Sequence, residues 1–171
     1  MNKALLVIDV QQFFINKYTK DIPFKIALFI RKNSFNNIYF FKFINNNESN
    51  WFKAGWKRMM NGSETNIVPE LQSFSNNKIT FNKNAFSVFR VKGFDETLKK
   101  LNITKLFICG LDTHACIYTT TLEAYERGYE VKLIKDLCGA SHGTEYHVHA
   151  LDALTKNLGR KVLIASKDIN K

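Results

Sequence analysis

KLFICGLDTHACIYTTTLEAYERGYEVKLIKD, residues 105–136, carries the reading that decides the fold. It opens with an apolar run, Leu106-Phe107-Ile108-Cys109, short and rich enough in β-branched and aromatic residues to be a buried strand. Gly110 breaks that run, and a small polar turn, Leu111-Asp112-Thr113-His114, leads through Ala115-Cys116 into a helical pattern. Ile117, Thr121, Leu122 and Tyr125 recur there at helical spacing, and Arg127 followed by Gly128 marks the stop. A second strand is expected over residues 130–134. Strand, turn, helix, strand is the grammar of a parallel βαβ unit, because parallel neighbours need a crossover between them. Cys116 falls where the helix begins, and unpaired N–H groups at such a terminus favour a thiolate.

The same grammar extends outward. Upstream, residues 4–8 form a continuous apolar run ending in Asp9, the mark of a strand buried on both faces. Its carboxylate then falls at the edge where open α/β sheets bind ligands. Pro23 begins a helix through Arg31, with Ile26, Phe29 and Ile30 inward, and residues 38–44 read as an aromatic-rich strand. Residues 45–50 are a polar loop; residues 51–60 leave helical turns and loop both open, with Gly55 weakening the helix. Residues 67–71 are expected to begin a short helix or turn, residues 78–82 to form a strand ending at Lys83, and residues 94–101 a helix with Asp95 and Glu96 in its first turn. Downstream come a loop over 136–143, a helix over 144–158 stopped by Gly159, and a last strand over 162–165. The class is α/β with a mostly parallel, helix-covered sheet.

With 171 residues and 45% hydrophobic content, the chain suits one domain spanning 1–171. Its net charge of +10 comes from lysines scattered through helices and loops, in a chain also rich in asparagine and phenylalanine. The charge therefore reads as compositional bias, and no specific nucleic-acid partner is expected. Three cysteines, Cys109, Cys116 and Cys138, make no CxxC pair and no even set, as suits free thiols in a reducing compartment. Asp9 interrupts the N-terminal apolar run before a signal-peptide pattern forms, and no run is long enough to span a bilayer, so a cytoplasmic location without a membrane partner is expected. No GxGxxG follows the first strand, and no cofactor is expected.

Asp9, Lys83 and Cys116 each occupy a strand's C-terminal end or the turn after one. In a parallel sheet those ends share one edge, so residues far apart in sequence converge. A carboxylate that accepts a thiol proton, an ammonium that holds anions in place and a thiol that attacks a carbonyl carbon form a sensible nucleophilic site. Taken singly each has a bland reading: a strand-end cap, a solvated lysine, a small core hydrophobe.

DVQQFF, the lysine of FNKNAFSVF, and GLDTHACI followed by EAYERGYEVKLIKD together resemble the isochorismatase-like cysteine hydrolases. The resemblance runs from residue 4 to about residue 166. It implies a Rossmann-like three-layer sandwich on a six-stranded sheet, with Asp9 as base, Lys83 as ion-pairing and substrate-orienting residue, and Cys116 as nucleophile. It also implies a cis peptide at Leu111-Asp112 that aims the Asp112 N–H beside that of Cys116 as an oxyanion hole. An aspartate there departs from the small residues common in the family, so its role is confined to the backbone and its side chain should point away. Gln11, Phe14, Phe86 and Leu111 resemble substrate-pocket residues. Trp51 and Trp56 either cover the pocket mouth or belong to the core, Trp56 leaning toward core.

Nicotinamidases of this superfamily hold a metal through an aspartate and histidines lying between the aspartate and lysine strands. No histidine lies between Asp9 and Lys83; His114, His142, His147 and His149 all come later, and His142, His147 and His149, which could be imagined as ligands, read rather as scattered surface residues, so no metal is expected. True isochorismatases lack the catalytic cysteine, and Cys116 points instead to C–N bond hydrolysis. The expectation is a metal-independent cysteine amidohydrolase acting on a small amide or ureido-type molecule, working as a homo-oligomer. The alternative is an inactive member that keeps the fold as a small-molecule binding or assembly module.

Overall fold

The computed structural model describes residues 2–169; positions 1, 170 and 171 of the expected 1–171 domain lie outside the described residues. Six strands, β1 (Asn2–Ile8), β2 (Asn37–Phe43), β3 (Ile79–Lys83), β4 (Ile103–Gly110), β5 (Glu130–Cys138) and β6 (Leu163–Ile164), form one sheet in the order β3-β2-β1-β4-β5-β6. Every pairing is parallel. The helices are α1 (Ile22–Lys32), α2 (Asn50–Lys53), α3 (Pro69–Ser75), α4 (Phe94–Lys100), α5 (Tyr118–Glu126) and α6 (Thr144–Leu158).

Strand order reverses direction between β1 and β4. Right-handed crossovers that first step one way and then the other put α1 and α3 on one face and α4, α5 and α6 on the opposite face. The sheet is consequently an α/β sandwich of three layers. β1 and β4, covered on both sides, are apolar from residue 4 and residue 106 onward, and Leu5, Leu6, Ile8, Leu106, Ile108 and Cys109 are fully buried. Their close approach depends on Gly110. At φ +123°, a Cβ on this residue would lie 2.0 Å from the Ile8 carbonyl oxygen. Among the described residues no helix is long and apolar enough to cross a membrane.

Most element ends shift by a residue or more from the sequence reading, and some differences have a visible cause. β5 runs on to Cys138, because Gly110 regains a partner there after the β4–β5 register shifts beyond Ile108. The last strand shrinks to Leu163–Ile164, since a 3-10 turn over Arg160–Val162 follows Gly159. In the undecided stretch, Ser49 caps the short α2 by accepting a 3.0 Å hydrogen bond from the Phe52 N–H, and Gly55 at φ +95° turns the chain away.

Candidate active site

Asp9 follows directly on β1 with φ 53°, a left-handed conformation that aspartate tolerates better than most residues. The turn is pinned on both sides: the Asp9 N–H donates to the Phe41 carbonyl (2.9 Å) and the Gln11 N–H to the Asp9 carbonyl (2.9 Å). Lys83 ends β3, two strands away, and Cys116 follows β4 in a single π-helical turn, Thr113–Ile117, that leads into α5. The three side chains converge at the C-terminal edge of the sheet, by the switch point between β1 and β4. Lys83 Nζ donates to Asp9 Oδ2 at 2.6 Å, to the Ala85 carbonyl at 2.9 Å and to Cys116 Sγ at 3.3 Å. Its ammonium also lies 5.3 Å from the Phe43 ring centre, a cation–π contact.

All three groups are buried; Asp9 is 0% exposed, Lys83 4% and Cys116 5%. Burial raises the Asp9 carboxyl above its ordinary range, against the attraction of Lys83 and the hydrogen bonds that favour its charge. Loss of water opposes the Lys83 charge, yet Asp9 and Cys116 together carry its pKa upward, and it stays an ammonium. Burial first and the Asp9 carboxylate second push the Cys116 thiol well up, which outweighs the pull of Lys83. The resting site is therefore a thiol beside an ion pair, not a standing thiolate. Asp9 Oδ1 is buried without a hydrogen-bond donor among the described residues, leaving an acceptor for a proton.

The peptide bond Leu111-Asp112 is cis. The Asp112 N–H has no acceptor among the described residues, and the Asp112 carbonyl accepts from the N–H groups of Ala115 (3.1 Å) and Ile117 (3.2 Å). The Asp112 carboxylate is turned onto Ser141, accepting its N–H at 2.8 Å and its hydroxyl at 2.5 Å. A second clamp acts on the next residue. The Thr113 hydroxyl donates to the Gly139 carbonyl at 2.9 Å and so accepts from His147 Nδ1 at 2.8 Å.

A cavity of about 360 Å³ opens on Cys116, walled by Phe13, Phe14, Phe43, Trp51, Trp56, Phe86 and His142. The rings brace one another: Phe13 and Trp56 centroids are 5.9 Å apart, Phe43 and Trp51 5.2 Å, Trp51 and Phe86 5.2 Å. Phe14 and Phe86 both border this cavity, and both tryptophans line its wall, correcting the leaning of Trp56 toward core. Gln11 and Leu111 do not. Gln11 is wholly buried, its amide donating to the carbonyls of Phe43 (3.0 Å) and Thr65 (2.8 Å) and accepting from the Phe43 N–H (2.8 Å). Leu111, also 0% exposed, packs toward Gly139. Both have spent their side chains on the scaffold. Phe13, Phe43 and His142 were missed; Phe43 ends a strand at the same edge, the signal that singled out Asp9 and Lys83. His147 is no surface histidine either, being half-buried against Thr113.

The isochorismatase domain family matches residues 3–165. Over 73 residues the chain is 32% identical to isochorismatase domain-containing protein 2 of Xenopus laevis, a match covering 43% of this chain and 35% of that protein. The matched segment thus spans about a third of that relative's length. A solved pyrazinamidase/nicotinamidase from Streptococcus mutans shares the fold with TM-score 0.80 at 23% identity, covering 95% of this chain and 99% of that one. N-carbamoylsarcosine amidase from Thermoplasma acidophilum superposes with TM-score 0.81 at 18% identity, covering 100% of both chains.

Proposed function

The chain belongs to the isochorismatase domain family, and from that premise we propose that it is a cysteine hydrolase cleaving a C–N bond of a small amide or ureido compound. The observation that carries this reading is the bridging of Asp9 Oδ2 and Cys116 Sγ by one buried ammonium, at 2.6 and 3.3 Å. Asp9 takes the thiol proton as sulfur attacks the carbonyl carbon, so that charge separates only when substrate is present. Lys83 holds both anions during that transfer. The oxyanion of the tetrahedral adduct is received by the N–H groups of Asp112 and Cys116. Collapse breaks the C–N bond, and the proton on Asp9 goes to the departing ammonia or amine. Water then attacks the thioester, giving a proton to Asp9; the acid leaves and that proton returns to sulfur.

The aromatic walls favour a compact substrate with a planar or apolar body, and expulsion of water from such a cavity strengthens every charge interaction beside Cys116. No step needs a metal ion. The test is a screen of small amides and ureido compounds for ammonia release, with Cys116→Ala as the blank. Turnover that vanishes in Cys116→Ala, and that falls by roughly 10²–10⁴-fold in Asp9→Asn, is the expected result. Saturable binding without turnover would favour the binding-module alternative instead, and turnover surviving in Cys116→Ala would overturn the nucleophile.

A further inference from the structure

The turn that precedes Cys116 and the loop after β5 bring together three donors that the proposed hydrolysis does not use as ligands: the Asp112 carboxylate, His114 and His142. One ligand atom from each lies within 4.8 Å of the other two. Asp112 Oδ2 and His142 Nδ1 are 3.8 Å apart. Donors about 2.0–2.2 Å from a zinc ion stand about 3.3–3.6 Å from one another in a tetrahedron, so a contraction of about an ångström completes the triangle. His142 can supply that movement, because its side chain is 67% exposed. The same exposure gives an ion a path in from solvent.

The supporting groups are those of a built ligand set. Asp112, 4% exposed, is held by both the N–H and the hydroxyl of Ser141, which fix its carboxylate while leaving each oxygen further acceptor capacity. Ring nitrogen Nδ1 of His114 is buried and has no hydrogen-bond partner among the described residues. Buried polar atoms are rarely left so, and a bound cation near this imidazole would account for its unmet capacity. The two histidine rings meet edge to face at 5.1 Å, and Tyr146 packs within 5.1 Å of His114 and 5.9 Å of His142, shielding one side.

We propose that Asp112, His114 and His142 form a binding site for one divalent transition-metal ion of the zinc class, at the rim of the substrate cavity and separate from Asp9, Lys83 and Cys116. Two imidazoles and one carboxylate select such an ion over magnesium or calcium, which require more oxygen donors. Three protein ligands leave a fourth position open. The ion offsets the Asp112 negative charge, the feature of this turn least suited to a neighbouring oxyanion.

The test is titration of chelator-treated protein with Co²⁺, read by its visible d–d absorption, followed by displacement with Zn²⁺. Wild-type protein and Cys116→Ala should each bind one equivalent with matching spectra. His142→Ala, an exposed substitution that leaves the fold intact, should weaken binding by at least about tenfold, and His114→Ala should do the same. Equal affinity in wild type and His142→Ala overturns the site. So does a signal lost in Cys116→Ala but kept in both histidine variants, which would assign the ion to the thiol.

Discussion

Replacing Lys83 by Met removes the ammonium and keeps most of the side chain's volume, so it isolates what the charge does. Both ends of the Lys83–Asp9 pair are 0% exposed in their side chains, and their N···O distance is 2.6 Å. Met leaves a carboxylate in a water-free site with no counter-charge. Stranding one member of a buried pair costs about 3–5 kcal/mol. The cost has a ceiling, because Asp9 can escape by taking a proton. Keeping a carboxyl of ordinary pKa near 3.9 neutral at pH 7 costs about 4 kcal/mol, at 1.36 kcal/mol per pH unit, and at pH 5 only about 1.5 kcal/mol. In the variant the folded-state pKa lies further above the unfolded value than it does in the wild type. The folded state then binds the extra proton, and stability falls as pH rises above the unfolded value. The destabilisation should therefore be about 3–4 kcal/mol at pH 7 and smaller by as much as about 2.7 kcal/mol at pH 5. Urea unfolding of wild type and variant at both pH values measures this directly. Adding Asp9→Asn to Lys83→Met should recover much of the loss at pH 7. A variant equally destabilised at both pH values, or by under about 1 kcal/mol at pH 7, would refute an uncompensated Asp9 charge as the cause.

Of the three thiols only Cys116 borders the cavity, while Cys109 and Cys138 are 0% and 3% exposed within the sheet. Iodoacetamide should therefore label Cys116 first, as peptide mapping by mass spectrometry will read; labelling of all three at one slow rate would remove the nucleophile assignment. Gly110→Ala drives a methyl group into the Ile8 peptide at 2.0 Å and should cost more than about 3 kcal/mol in urea unfolding, or prevent folding. Asp95 accepts from Lys99 (2.7 Å), Arg127 (3.1 Å) and Tyr129 (2.7 Å), and these partners, against the opposing effect of burial, hold its carboxyl below the ordinary value. Asp95→Asn should lose about 1–3 kcal/mol at pH 7, and the gap to wild type should close as pH falls through the lowered pKa, because a depressed carboxyl contributes stability only while ionised. If the proposed mechanism holds, amide hydrolysis should persist after exhaustive chelation, since none of its steps draws on a metal ion; activity that disappears and returns with added metal would contradict that.

Much of this was legible beforehand, for identifiable reasons. Doubly covered strands need unbroken apolar runs, so β1 and β4 were plain in the sequence, and their ends identified Asp9 and the turn before Cys116. Helix α6 was bounded by a glycine at each end, Gly143 and Gly159, and matched its expected span. What stayed hidden depended on partners remote in sequence. The extension of β5 is accompanied by Asp136, whose carboxylate accepts from the N–H (2.8 Å) and hydroxyl (2.5 Å) of Ser166, a contact across the sheet that no local pattern announces. Gln11 resembles the family's pocket residues just after the aspartate strand, and its hydrogen bonds to Phe43 and Thr65, 32 and 54 residues away, have no local signature. His142 looked scattered because its neighbours Asp112 and His114 lie on another strand's turn. Only the fold brings them within reach.

The Gln11 amide has one more consequence. It offers Phe43 both a donor and an acceptor, and so stands in for the next residue of a strand after β1 has ended. Phe43 is in register with Lys83, and the Ile44 N–H closes onto the Lys83 carbonyl at 2.8 Å. A continuous rung of amide and peptide groups thus ties the residue two places beyond Asp9 to Lys83 itself. This rung of neutral hydrogen bonds fixes the main-chain stations from which carboxylate and ammonium extend, independently of their mutual attraction. The edge of the sheet behaves as a jig: whichever side chains occupy these two stations are delivered to the same place, so one frame can carry different pairs of reacting groups without being rebuilt.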